Sequence, residues 1–300
     1  MEYFLDLFIA GLIKGSIYAL IALGYTMVYG VLGLINFAHG EIYMIGAFTG
    51  LVASGVLITM ELNAWAVFAL VLVFAAVYAG AYGYTMEKIA YQPLRHAPRL
   101  SPLISAIGMS IFLQNYVLLA QGPEFQAYPS LVPEMPFLEQ WSEFIQPSDL
   151  MILFMTVLVM ILLSVLTRHT RMGMAMRAIS QDKKMAMLLG VDLDKTISFT
   201  FILGSMLAAI GGVLVATRVG QINFYIGFIA GIKAFTAAVL GGIGNIPGAV
   251  LGGLILGWTE SFAAGYISSD YEDVFAFALL VIILIFKPAG LLGRETREKV

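Results

Sequence analysis

The sequence predicts an all-α integral membrane protein, a polytopic bundle of about nine transmembrane helices, some of them broken. Three observations carry this. The 300 residues are 60% hydrophobic and only 12% charged, outside the mixture of a soluble domain. Apolar runs near 8–34, 38–59, 65–86, 101–121, 149–167, 197–217, 226–244, 247–264 and 274–287 match the roughly 20 residues that cross a bilayer core. The charges are also segregated. Thirteen of the sixteen Lys and Arg residues lie in 87–100, 168–195 and 287–299, while the loops 122–148 and 265–273 carry acidic residues and no cation. Cation-rich loops stay in the cytoplasm, which puts the N-terminus outside, the C-terminus inside and the span count at an odd number. Eight or ten spans stay open, because 30–60 and 218–264 are interrupted by glycine. The spans and their short connections use up nearly all of 1–300, so a single transmembrane domain is expected. There is no cysteine, so disulfides and thiolate metal sites are excluded. MEYFLDLF lacks the basic region and cleavage pattern of a removable signal peptide.

In chain order, the first span carries Lys14. It either snorkels to the outer face or serves a function. The stretch GLINFAHGEIYMIGAFTG then places Asn36, His39 and Glu41 among glycines. Two readings stay open: a helix–turn–helix at the cytoplasmic surface with Glu41 on a helix N-terminus, or a broken helix facing a translocation path. His39 has no second histidine at ligand spacing and makes no metal site. Gln114 and Asn115, near the outer end of 101–121, suit hydrogen bonds between helices. Trp141 and Phe144 suggest a short interfacial helix in the outer loop 122–148.

The segment 168–196 is a polar island between two apolar runs. It holds Arg168, Arg171, Arg177, Lys183, Lys184 and Lys195, with Met172, Met176, Met185, Leu188 and Leu189 giving an apolar face. It reads as a short cytoplasmic helix and a docking surface. Next, Gly204, Ser205, Ala208, Ala209, Gly211 and Gly212 form a small-residue face for close helix contact. Arg218, Gln221 and Asn223 mark an outer connection. In KAFTAAVLGGIGNIPGAVLGGLILGWTE, Gly241, Gly242, Gly244 and Pro247 break the helix, and Gly248/Gly252 and Gly253/Gly257 offer small-residue packing. GGIGN lacks the Lys-Ser/Thr of a phosphate loop, and no Walker A pattern occurs, so the chain does not hydrolyse ATP by itself. Lys233 and Glu260 are the deepest charges here. An intramembrane Lys233–Glu260 pair is expected, with Arg218 as a competing partner and either a structural or a substrate-touching role.

INFAHGEIYMIGAF, LISAIGMSIFLQNY, RAISQDKKMAMLLGV and YIGFIAGIKAFTAAVLGGIGNIPGAVLGGLILG, in this order, closely resemble the LivH-type permeases of branched-chain amino acid ABC importers. The resemblance implies a multi-pass bacterial inner-membrane subunit. It would pair with a second, LivM-type permease, two cytoplasmic ABC ATPases and a periplasmic or extracellular substrate-binding protein, with lipid around it and no nucleic acid or cofactor. The family's ATPase-contacting pattern, Glu-Ala-Ala, three residues, then Gly, aligns with Lys184, Met185, Ala186 and Gly190. Its glutamate is replaced by Lys184, and its later Ile-x-Leu-Pro is absent. The implied coupling helix is therefore centred on Lys183, Lys184, Met185, Ala186, Leu189 and Gly190, with Ala186 and Gly190 leaving a notch for the partner. Asn36, His39, Glu41, Gly241, Gly242 and Gly244 are the candidate pathway residues. Rival readings are an ABC permease for another small solute (urea, an amide, another amino acid), an ion-coupled transporter using His39 and Glu41, and a passive channel.

Overall fold

The computed structural model describes residues 2–95, 97–98, 100–133, 135 and 145–293. All nine apolar runs form helices, with most ends within four residues of those read from hydropathy, although the first helix starts six residues earlier than expected. They are α1 (Glu2–Leu32), α2 (His39–Leu57), α3 (Ala64–Met86), α4 (Leu100–Gln121) and α5 (Pro147–His169). After the polar island come α8 (Leu193–Val219), α9 (Ile226–Gly241), α10 (Ile246–Tyr266) and α11 (Glu272–Phe286). Among the described residues, seven helices are long and apolar enough to cross a membrane. The helices α9 and α11, of 16 and 15 residues, are shorter and reach only about 24 and 22 Å at 1.5 Å per residue.

The island forms two helices rather than one, α6 (Arg171–Gln181) and α7 (Lys183–Leu188). Asp182 causes the split. Its backbone is extended, and its side chain accepts from Met185 N at 3.0 Å, capping α7. Thr170 caps α6 through Gly173 N in the same way, and Asp192 caps α8 through Lys195 N. The bond from Lys195 N is the main cause of an Asp192 carboxyl held below its ordinary pKa.

Small residues bring the long helices together. Gly11 and Gly15 of α1 face Gly253 and Gly257 of α10 so closely that a Cβ on Gly257 would run into the Gly15 backbone. Gly212 of α8 lies against the Tyr43 carbonyl, and Gly46 of α2 against Ala209. The expected small-residue face of α8 is therefore its packing face. Gly252 meets Ala237 and Gly241, joining α10 to α9.

The connections sort to two ends of the bundle. At the end where α1 starts, Tyr3 bonds the Gly265 carbonyl, and β1 (Gln126–Ala127) pairs antiparallel with β2 (Gln221–Ile222) beyond the end of α8. These two-residue strands leave no readable pattern in the sequence. At the end where α1 stops, Gly244 approaches Gly30, and Leu291 and Leu292 donate to the Leu240 and Gly241 carbonyls. The island lies at this second end, since Lys183 reaches Leu32. The expected helix around Trp141 and Phe144 lies outside the described residues.

Candidate functional site

Three polar features are built into this apolar frame. The first is the break between α1 and α2. Gly33 stops α1 in a left-handed conformation (φ 69°), with open space among the described residues where a Cβ would stand. The chain then folds back, so that His39 lies against Gly24 and Gly204 and its ring meets Tyr25 edge-on at 4.6 Å. The tip of the His39 ring thus reaches Gly24, about 12 Å along α1 from its C-terminal end. The connection from α1 to α2 is therefore buried inside the bundle at Asn36, Ala38 and His39 and not laid on its surface. Asn36 holds it. Its buried Oδ1 accepts from Ala38 N at 3.1 Å and from the Tyr91 hydroxyl at 2.8 Å. Glu41 is fully buried and accepts from Ser110 Oγ at 3.0 Å and Gln114 Nε2 at 2.8 Å. Gln114 therefore joins α4 to α2, as expected of it, whereas Asn115 bonds the Ile111 carbonyl of its own helix. The α9 N-terminus meets the same place: Gly227 packs on Gly40 and on the Glu41 carboxylate. Two helix N-termini thus converge on one buried carboxyl group.

Of the second break, Gly241 packs on Gly248, and Gly242 (φ 102°) on Gly293 and Ala289. These two glycines serve helix contact and the C-terminal cap of α9. The two breaks still approach each other. Ile35 and Ile243 line one void of about 10 Å³ with Tyr25, Tyr29, Phe235 and Ala238, enough for about one water. A larger cavity of about 510 Å³ lies elsewhere, between α2, α3 and α4, lined by residues such as Phe48, Val52, Phe74, Tyr78 and Tyr116.

The second feature is an ion-pair cluster joining α1, α9, α10 and α11. Lys233 Nζ lies 3.2 Å from Glu260, 3.3 Å from Glu272 and 2.7 Å from Asp273. Lys14 reaches Glu260 at 3.6 Å and bonds Glu272, and the Tyr18 hydroxyl donates to Glu260 at 2.5 Å. Lys14 is thus a member of this cluster and does not simply snorkel outward. Oxygens of Glu260, Glu272 and Asp273 come within 4.8 Å of one another, and the two ammonium groups balance that crowding. Arg218 does not compete for Glu260. It pairs with Asp149, tying the end of α8 to the start of α5.

A third cluster was not foreseen. Past Met86, α3 continues through a π-helical turn, Glu87–Tyr91, and a 3₁₀ turn, Gln92–Leu94. A π-turn inserts a residue into the helix and often marks a functional position. Glu87, fully buried, accepts from Ser198 Oγ at 2.8 Å, lies 3.4 Å from Lys88 and pairs with Arg95. Arg95 also bonds Asp194 in the first turn of α8. The only sequence clue was a lone glutamate ending an apolar run, eight residues before an arginine.

In the island, α7 turns Ala186 inward, where it is buried, while Leu188 and Leu189 are 82% and 77% exposed and Met185 and Met187 are exposed beside them. The expected Ala186–Gly190 notch does not form. Gly190 lies past the helix end at φ 84°, where its N–H caps Met187 and Val191 N–H reaches the Ala186 carbonyl. The outward surface is instead an apolar knob of methionine and leucine flanked by Lys184.

These features define a multi-pass, all-α membrane protein with an interrupted helix core and an exposed apolar knob at one end. The chain belongs to the branched-chain amino acid transport system / permease component family, whose model matches residues 7–284. It is 50% identical over 302 residues to the high-affinity branched-chain amino acid transport system permease protein LivH of Escherichia coli strain K12, covering 99% of this chain and 98% of that one. It is also 50% identical to the corresponding BraD protein of Pseudomonas aeruginosa over the same shares of the two chains. A probable LivH of Methanocaldococcus jannaschii is 26% identical, over 96% of this chain and 92% of that one.

Proposed function

We propose that this chain is the permease subunit of an ATP-driven importer and forms half of a path for leucine, isoleucine and valine across the bacterial inner membrane. The observation that carries the reading is the 50% identity, over nearly the whole of both chains, to permeases of high-affinity branched-chain amino acid transport systems. A LivM-type permease completes the path, two ABC ATPases supply the energy, and a periplasmic or extracellular binding protein delivers the amino acid. The cation-rich end of the bundle faces the cytoplasm, with the α1 N-terminus outside. On this reading α7 is the coupling helix. Met185, Leu188 and Leu189 bury themselves in an ATPase cleft, and Lys183, Lys184, Ala186 and Gly190 shape the helix behind them. Asn36, His39, Glu41 and Gly244 lie beside the path and not yet on an open one, because the breaks are packed shut and the second permease supplies the other wall. Apolar walls suit branched side chains, and the binding protein sets selectivity before the permease is reached.

The test is uptake of labelled leucine by cells that lack their own branched-chain permease and receive this one with its partners. Uptake should appear, stop on ATP depletion and survive a protonophore. Loss with the protonophore alone would make the chain an ion-coupled carrier. Uptake of an amide or urea in place of leucine would keep the machine and change its cargo.

A further inference from the structure

The island and the α1–α2 break are separate features of the sequence, yet the structure links them twice. The first link is direct. Lys183 Nζ, at the start of α7, donates to the Leu32 carbonyl at 2.7 Å. That carbonyl belongs to the last turn of α1, where the helix leaves its carbonyls without partners and its dipole favours a cation. The second link runs through the π-turn. Asp194, two residues past the Asp192 cap of α8, bonds Arg95, Arg95 bonds Glu87, and the same π-turn presents Tyr91, whose hydroxyl donates to Asn36 Oδ1 at 2.8 Å. The ring of Tyr91 is held 5.0 Å from that of Phe201, one turn past Ser198, which is itself bonded to Glu87. Leu32 precedes the break and Asn36 lies within it, and the two links reach it from different helices.

We propose that Lys183 and the Asp194–Arg95–Glu87–Tyr91 relay are positioning residues that carry displacement of α6–α7 into the 33–38 break and so move the first turn of α2. This rests on the reading that an ATPase docks on α7. The argument is one of compliance. Beyond the break, His39 is wedged against Gly24 and Gly204, and Gly40 against Gly227 and Gly231, so α2 has no slack there. Gly33, left-handed and with open space where a Cβ would stand, is the position in the break that can absorb rotation. Asn36 binds both Tyr91 and Ala38 N through one oxygen, so a shift of Tyr91 is passed straight to the residue before His39. The first turn of α2 also carries Glu41, through which Ser110, Gln114 and the α9 N-terminus follow. Glu87 and Asn36 are buried, and a buried polar group that loses its partner costs about 1–3 kcal/mol. The relay therefore switches between bonded arrangements and does not stretch.

The experiment uses the complete importer in liposomes, with the binding protein loaded with leucine inside and ATP supplied to the ATPases. Two quantities are read, the ATPase rate and leucine moved per ATP. Tyr91→Phe removes one hydroxyl and keeps the ring, and Lys183→Met removes the second tether. Each should lower leucine per ATP by about fivefold or more, the range of an ordinary coupling free energy. In Tyr91→Phe, where Asn36 keeps its bond from Ala38 N, the ATPase rate, assembly and melting temperature should stay near wild type, and the double variant should move less leucine per ATP than either single one. Leucine per ATP equal to wild type in Tyr91→Phe overturns the proposal. So does a loss that merely follows a lowered melting temperature, which is what a structural role alone would give. A wild-type complex in which this chain does not stimulate the ATPases overturns the docking reading instead, and is seen before any variant is made.

Discussion

Glu260 and Glu87 are both fully buried carboxylates with cationic partners, and they hold different kinds of structure. Glu260 stands among four helices, with Lys14, Lys233 and Tyr18 on it and Glu272 and Asp273 crowded against the same lysines. Around it α1 and α10 touch backbone to backbone at Gly15 and Gly257. Everything there is redundant and close-packed. Glu87 sits on an irregular turn and has one main cation, Arg95, shared with Asp194, which is 58% exposed at the edge of the polar island. The same chemistry thus makes a clamp in one place and a chain of single links in the other. Redundancy resists motion, while a serial link transmits it. The comparison assigns stability to the α1–α9–α10–α11 side and movement to the α3–α8 side.

The largest effect should come from breaking the clamp. Lys233→Met leaves one lysine, Lys14, to three carboxylates, and a buried charge left without its partner costs up to about 3–5 kcal/mol. Thermal unfolding of the detergent-solubilised complex should show the drop. Lys233→Met combined with Glu260→Met should recover much of it, because no orphaned charge remains at the centre. A single variant as stable as wild type would remove the distinction between the two sides.

Much of this clamp was legible beforehand, because a lysine and a glutamate in apolar runs of neighbouring helices have few other partners. The nine apolar runs were legible for the same reason: hydropathy reports the medium. Helix rotation is harder to read. Lys14 and Asp149 find partners more than fifty residues away in sequence, as do the links from Asp194 to Arg95 and from Tyr91 to Asn36. No local spacing announces them. Ala186 was misread on the same ground. A small residue at i and a glycine at i+4 suggest a notch, but only tertiary packing decides that Ala186 faces inward and that α7 ends before Gly190.

On the moving side the effects on stability should be smaller. Gly190→Ala forces a Cβ into a left-handed conformation, with nothing nearby to clash. The cost is the backbone term, about 1–2 kcal/mol, and it falls on the C-terminal end of α7. Melting should shift slightly. Faster hydrogen exchange should be confined to the amides of Gly190 and Val191, which cap that end. Faster exchange in α10 would show that the two sides are not separable.

The smallest change is Asp194→Asn. Asp194 is a half-solvated partner, and surface pairs of this kind contribute about 0–1 kcal/mol, less as salt rises. Arg95 keeps Glu87, so the buried half of the link stays paired and melting should hardly move. Beside this branch α8 reaches Glu87 through a single hydroxyl, that of Ser198, so the exposed Asp194–Arg95 bond still limits what is transmitted. The difference between Asp194→Asn and wild type in leucine moved per ATP should therefore exceed anything its stability suggests, and should shrink at high salt, where the wild-type pair is itself screened. If leucine per ATP is unchanged at low salt while the Arg95→Met variant is impaired, the relay starts at Arg95, and α8 moves the π-turn through Ser198 alone.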